Sequence, residues 1–184
     1  MPAPDFSVIL PFSNAEKTLA FALERIAGQT CQNFECLLIN NNSTDLSVEI
    51  AMGFCNNNSR FSLLHEAKQG VVHAHNKGLS AAQGRYIARM DADDISLPDR
   101  LQLQYEYLEA HPEVDVVAGQ AKYVAHRPGT DGFVRYVHWS NQILSGRDIY
   151  LKQFVESPII NPTAMWREKA SKIHGSYRQG LFPC

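Results

Sequence analysis

Short apolar runs alternate with segments of helical period along most of this chain, and that alternation leaves few folds open. Residues 6–12 are apolar at nearly every position, the pattern of a strand buried on both faces and therefore central in a sheet. Leu19, Ala22, Leu23 and Ile26 then recur at helical intervals until Gly28, and residues 13–16 have Ser and Glu at capping-box spacing. The unit repeats. Residues 34–39 read as a second strand, 40–44 as a polar loop and 45 to about 54 as a helix. Residues 61–64 read as a third strand, 71–82 as a helix stopped by Gly84, and 86–90 as a fourth strand. Strands joined by helices in this order predict an α/β fold, with a mostly parallel sheet and helices on both faces.

Pro98 suits the first position of a helix running to about residue 110, with Leu101, Tyr105 and Leu108 on one face and His111 and Pro112 ending it. Residues 114–118 read as another strand. Beyond Gly119 the pattern loosens, and the turn-rich residues 127–132 between two β-like runs predict a hairpin or a long excursion. Residues 147–155 look helical, 162–166 strand-like and 175–183 loop-like. No repeat or linker divides the sequence, and 184 residues suit a single domain.

A net charge of −2 with dispersed basic residues gives no electrostatic footprint for nucleic acid. The first residues lack the basic and apolar regions of a signal peptide, and no apolar run approaches the roughly 20 residues of a transmembrane segment. A cytoplasmic protein, at most peripheral to a membrane, is expected. Cys31, Cys36, Cys55 and Cys184 are too few and too irregularly spaced for a disulfide framework or a zinc site, and read as free thiols.

In an open α/β sheet, ligands bind outside the carboxyl ends of the strands. Residues 11–16, 40–45, 66–70 and 91–94 all fall at that edge. The last of these carries Asp91, Asp93 and Asp94. Strand alternation is expected to put Asp91 and Asp93 on one face with Arg89, while Asp94 points away. Two carboxylates so close repel unless a cation lies between them, and hard oxygen ligands suit Mg²⁺ or Mn²⁺. The plain alternative is a solvated turn in which Asp94 or Ser96 caps the next helix. Arg89 has two options as well, pairing with a carboxylate or contacting a ligand. Glu16 fits both a capping box and a binding loop, and Ser43, Thr44 and Asp45 read as helix caps.

Taken in order, these segments resemble the family-two glycosyltransferases of GT-A fold, whose sheet is Rossmann-like. The likeness rests on residues 7–14 with Glu16, on 27–30, on the loop 40–45, on Gly70 through Asn76, Lys77 and Gly78, and on 81–94. It is strong over residues 6 to about 118 and weak beyond. It implies a nucleotide-sugar-binding half at 1–118 and an incomplete acceptor-side half at 119–184. The implied donor is a nucleoside-diphosphate sugar, UDP-linked by expectation, and the implied acceptor a glycan, a lipid or another hydroxyl, as in polysaccharide biosynthesis. The reaction would invert the anomeric carbon with Mn²⁺ or Mg²⁺ as cofactor. Pro11, Phe12, Ser13, Glu16, Asn41, Asn76 and Asp91 are the implied donor-binding residues, and Asp93 with Asp91 the implied metal ligands.

The chain departs from the family pattern in several places. Asn41 stands where the family generally has an aspartate that accepts from uracil. Its side-chain oxygen can still accept, without the charge. His75 stands where an arginine often precedes the asparagine, among Lys68, His73 and Lys77, where a cation would balance diphosphate charge. Trp166, following Asn161, Pro162 and Thr163, fits either sugar stacking or burial. The family's general base would be expected just beyond residues 181–183, hence past Cys184, so a truncated chain is expected. Asp131, Asp148 and Glu156 lie in no matching motif. Two rival readings are an inactive nucleotide- or glycan-binding module and a sugar nucleotidyltransferase. The second calls for a Gly-rich loop with Arg and Lys after the first strand, which residues 13–17 do not supply.

Overall fold

A computed structural model describes residues 3–124, 129 and 131–178. Its elements run β1 (Phe6–Phe12), α1 (Leu19–Ala27), β2 (Phe34–Asn40), α2 (Ser47–Asn57), β3 (Phe61–His65), α3 (Val71–Ala81), β4 (Tyr86–Arg89), α4 (Arg100–Ala110), β5 (Val116–Ala118), α5 (Asp131–Ser140), α6 (Gly146–Lys152), a 3₁₀ turn (Asn161–Thr163), β6 (Ala164–Arg167) and α7 (Glu168–His174). The strands form one sheet in the order β3-β2-β1-β4-β6-β5. β3, β2, β1 and β4 are parallel, and β6 runs antiparallel between β4 and β5. The α/β architecture is as expected, with β1 central.

Alternation along the strands builds two cores. Val8, Leu10 and Phe12 of β1, Cys36 and Leu38 of β2, and Tyr86 and Ala88 of β4 face Leu19, Leu23 and Ile26 of α1 and Leu101 and Leu108 of α4. Ile9, Leu37, Ile39 and Ile87 point the other way, onto Ala74 of α3. Full burial of such side chains stabilises by about 1.5–3 kcal/mol each, so both faces contribute. Gly78 permits the close approach of α3, since a Cβ there would stand 2.5 Å from Ile9 Cγ2 and 3.0 Å from Ile39 Cδ1.

The four parallel strands all end at one edge of the sheet, as their pairing requires. Four expectations fail. Residues 13–16 make no capping box, because α1 starts three residues later at Leu19, and the amides of Ala15 and Glu16 are taken by side chains of a neighbouring loop. The excursion after Gly119 is not a hairpin: the second β-like run is α5. Its β-forming residues are overruled by contacts at helical spacing, Tyr136 donating to Ser157 O and Ser140 to Pro158 O. Residues 168–174, given no element in the sequence reading, form α7, where Ser171 accepts a hydrogen bond from Trp166 Nε1 and Glu168 pairs with Lys172. Lastly, β4 stops at Arg89, before the acidic residues.

Arg127, Pro128 and Cys184, with residues 179–183, lie outside the described residues. Cys31, Cys36 and Cys55 are free thiols. Among the described residues no helix is long and apolar enough to cross a membrane.

Candidate functional site

Loop 13–18 leaves the buried β1 and crosses to loop 41–46 after β2. Asn14 sits at φ 52° and its Oδ1 accepts from Thr44 N at 2.8 Å, while Ser43 Oγ accepts from Asn14 N at 3.1 Å. Ser47 Oγ accepts from Ala15 N at 2.8 Å, Asp45 Oδ2 from Glu16 N at 3.0 Å, and Glu16 Oε2 from Leu46 N at 3.3 Å. The two loops therefore satisfy one another's exposed amides, as isolated helix N-termini must otherwise do with their own caps. Ser43, Thr44 and Asp45 do not occupy the N-cap of α2, which is Leu46 without a side-chain bond, but Asp45 just ahead of it accepts from Ser47 N at 3.0 Å.

The three consecutive asparagines extend the same zipper to the loop after β3. Asn40 Oδ1 accepts from Ser43 N at 2.9 Å. Asn41 is 4% exposed, donates from Nδ2 to Glu66 O and Lys68 O at 2.9 Å each, and accepts from Gly70 N at 2.8 Å. Its oxygen keeps one lone pair. Asn42 takes the left-handed conformation at φ 62° and donates to Ala67 O and Gln69 Oε1.

The acidic residues lie in a turn, closed by a hydrogen bond of 3.3 Å from Asp94 N to Asp91 O. Strand alternation therefore does not apply, and Asp94 is not turned away from the other two. Burial, then the charges of Asp91 and Asp93, push its carboxyl up to about 6 against the pull of Arg100 and Arg89. Burial also raises Asp91, opposed by Arg89, whose Nε stands 3.4 Å from Asp91 Oδ1. Of its two open options, Arg89 takes the carboxylate pair. Neither Asp94 nor Ser96 caps α4, whose N-cap is Asp99 without a side-chain bond.

Two residues that the sequence reading left without a role hold this turn. Gln29, 1% exposed, donates to Ser96 Oγ at 3.1 Å and Leu97 O at 2.7 Å, and accepts from Leu101 N at 3.1 Å, anchoring both the loop and the start of α4. Arg100 donates to Arg89 O at 2.7 Å and to Ala164 O at 3.3 Å, and burial pushes its guanidinium down to about 10. The only signal for Gln29 was its place in the matching stretch 27–30.

Asp93 is exposed and shares a cleft of about 470 Å³ with Ser13, Asn14, Glu16, Lys17 and Asp45. Ser13, Glu16 and Asp93 are thus brought together. Phe12 is 3% exposed with its ring in the core, and its carbonyl accepts from Asn41 N at 2.9 Å. Pro11 is half-buried at the strand end. Asn76 is committed elsewhere: its amide bonds the backbone N and O of Tyr177 at 2.9 Å each. His75 is 2% exposed, and burial with the Arg89 charge pushes it down to about 4, so it is no cation near neutral pH. Trp166 is half-buried against the second core. Asp148 and Glu156 bond their own neighbours, Ser145 and Ser157.

Among the described residues no three His, Cys, Asp or Glu side chains converge as a metal-binding group. Asp91 and Asp94, both raised chiefly by burial, instead stand in one turn with the exposed Asp93 beside an open cleft. Such a set fits a hard divalent cation whose remaining ligands are water and phosphate oxygens.

Residues 7–173 match the family model for glycosyl transferase family 2. The chain is 33% identical over 159 residues to glycosyltransferase GlyG of Streptococcus pneumoniae, an alignment covering 86% of this chain and 50% of that protein. It is 36% identical over 121 residues to a PGL/p-HBAD biosynthesis glycosyltransferase of Mycobacterium bovis, covering 65% and 47%. The chain thus spans about half the length of these relatives. Among solved structures, TarS 1-349 of S. aureus in complex with UDP superposes with a TM-score of 0.71 at 23% identity, covering 92% of this chain and 48% of that one. The mannosyltransferase PcManGT of Pyrobaculum calidifontis, in complex with GDP-Man and Mn²⁺, gives 0.68 at 21% identity, covering 96% and 48%. These likenesses place the fold among the GT-A glycosyltransferases.

Proposed function

The chain belongs to glycosyl transferase family 2, and from that premise we propose that it binds a nucleoside-diphosphate sugar at the carboxyl edge of its sheet for transfer to a hydroxyl acceptor. The observation carrying this reading is that loop 13–18 and Asp93, 75 or more positions apart in sequence, line one cleft. TarS has been solved with UDP and UDP-GlcNAc and PcManGT with GDP-Man. A uracil nucleotide is the first candidate here, the lone pair left on Asn41 Oδ1 being its acceptor for a ring N–H.

In this reading Pro11, Phe12 and Ser13 offer backbone groups to base and ribose, Glu16 holds the loop that frames them, and Asp91 faces ribose or a bridging water. Asp93, with Asp91, would hold Mn²⁺ or Mg²⁺. The bound cation would neutralise diphosphate charge and so assist departure of the nucleotide from an inverting displacement. Arg89 and Arg100 keep the acidic turn folded and its charge partly balanced, while Lys17 adds a cation at the cleft wall. The acceptor is a glycan or lipid-linked hydroxyl.

Calorimetry with UDP, GDP and dTDP, with and without Mn²⁺, tests this. Mn²⁺ should strengthen binding of at least one nucleotide, and Asp93→Ala should remove about tenfold or more of that gain, about 1.4 kcal/mol. Unchanged Mn²⁺-dependent binding in Asp93→Ala would sink the metal role.

A further inference from the structure

Asp91 and Asp93 stand two positions apart in different surroundings. Asp93 is exposed and lines the cleft with loop 13–18, whereas Asp91 is not among the residues lining it. The Asp91 carboxylate is turned to Arg89, whose Nε stands 3.4 Å from Asp91 Oδ1, and the pair is sheltered, its side chains being 13% (Arg89) and 32% (Asp91) exposed. Alternation along β4 from Ile87, a member of the second core, puts Arg89 on the α3 face of the sheet. A cation bound at Asp93 therefore meets one of these two carboxylates unless Asp91 leaves Arg89.

The backbone here is fixed, while the ion pair is loose. Met90 N donates to Ile9 O at 3.1 Å, and Asp91 O accepts from Asp94 N at 3.3 Å. Arg100 is fixed as well, donating to Arg89 O at 2.7 Å, Ala164 O at 3.3 Å and Gln104 Oε1 at 3.1 Å. The Arg89–Asp91 contact joins one nitrogen to one oxygen, and it is longer than the roughly 2.7–2.9 Å of a strong charge-assisted bond. Rotation of the Asp91 side chain undoes it without moving the backbone.

We propose that Arg89 is a positioning residue that competes with the divalent cation for Asp91. Its guanidinium holds the carboxylate on the α3 side and balances its charge. When a cation sits at Asp93, Asp91 turns to it and Arg89 is released. The cation alone then binds weakly, because it must displace a guanidinium. A diphosphate brings further oxygen ligands and tips the exchange, so metal and nucleotide bind cooperatively. This role rests on the proposed reading of Asp93 as a metal ligand, and the test separates the two.

In calorimetry of the full chain with Mn²⁺ alone at about pH 8, where carboxylates are ionised, Arg89→Gln should tighten binding about fivefold. Arg89→Lys keeps the charge and should stay near the parent. A charge that merely repelled Mn²⁺ from a distance would act in any background, so the double-variant cycle decides. With Asp91→Asn already present, Arg89→Gln should bring less than about a twofold gain. In NMR spectra of the parent, which need no variant to fold, the Arg89 Nε–H resonance should move on addition of Mg²⁺ toward its position in Asp91→Asn. In Asp93→Ala, Mg²⁺ should leave it in place. An Arg89 resonance that Mg²⁺ does not move in the parent, or an equal gain from Arg89→Gln with and without Asp91→Asn, would overturn the exchange. The functional reading would still stand if Mn²⁺-enhanced nucleotide binding were lost in Asp93→Ala. Mn²⁺ binding that survives Asp93→Ala would instead remove the metal role, and the exchange with it.

Discussion

At the scale of single residues, amide side chains organise much of the site, beside the charged groups of Arg100, Asp45 and Glu16. Gln29, Asn41 and Asn76 are each bonded through both ends of the amide, to backbone groups far along the chain. Gln29 shows the energetic consequence. Replacing it by Leu would orphan Leu97 O and Leu101 N at a buried position, and a lost buried bond with an unsatisfied partner costs about 1–3 kcal/mol. Gln29→Leu should therefore lower the unfolding free energy measured in urea by that order and loosen the turn at 91–94, seen as faster amide exchange at Asp94. A variant as stable as the parent would show that the amide is dispensable. None of this was legible from composition or spacing, because the partners of Gln29 in the acidic loop and at the start of α4 lie 67 to 72 positions away. The acidic residues were legible as a group. Their directions were not, since the strand ends at Arg89 and a turn replaces the assumed alternation.

At the scale of elements, the strands and helices of the donor half follow from period and punctuation, and their register from close contacts that glycine alone permits. Gly84 precedes β4 and presses against β1, where a Cβ would stand 2.5 Å from Phe6 C and Ser7 N. Backbone cannot yield there as a side chain can, so Gly84→Ala should destabilise by about 3 kcal/mol, at the upper end of overpacking effects. Gly53 in α2 meets nothing within 4 Å and supplies the control. Gly53→Ala should stabilise by about 1 kcal/mol through helix propensity. Urea unfolding of both variants checks the pair, and equal shifts would refute the packing argument. At α5 local β propensity competed with tertiary contacts at helical spacing, and the contacts prevailed.

For the whole molecule, two buried groups make stability respond to pH in opposite senses. His75 is held down to about 4, so the unfolded chain takes up a proton near pH 6.5 that the folded chain refuses. Its contribution is complete above that pH and is lost on acidification toward pH 4, by up to about 3 kcal/mol. Asp94 is held up to about 6, so the folded chain keeps a proton that the unfolded chain releases near 3.8. Stability from this group falls as pH rises through that window, by about 1 kcal/mol once solvent screening of a half-buried carboxyl is allowed for. In urea titrations of metal-free protein between about pH 4.5 and 7, Asp94→Asn should therefore gain stability with pH more steeply than the parent, and His75→Gln should lose it. Parent-like slopes in both variants would contradict the two assignments. The α/β architecture, the central place of β1 and the edge at which polar loops collect follow from residue order alone, because hydrophobic period and helix punctuation are local properties of the chain. It took the docked tertiary structure to bring Asp93 into one cleft with loop 13–18, to let three asparagines knit the loops together, and to clasp the Tyr177 backbone on Asn76. Those outcomes depend on which backbone groups are left unpaired once the strands have docked, and unpaired groups are satisfied by whatever lies near in space, at any distance along the chain.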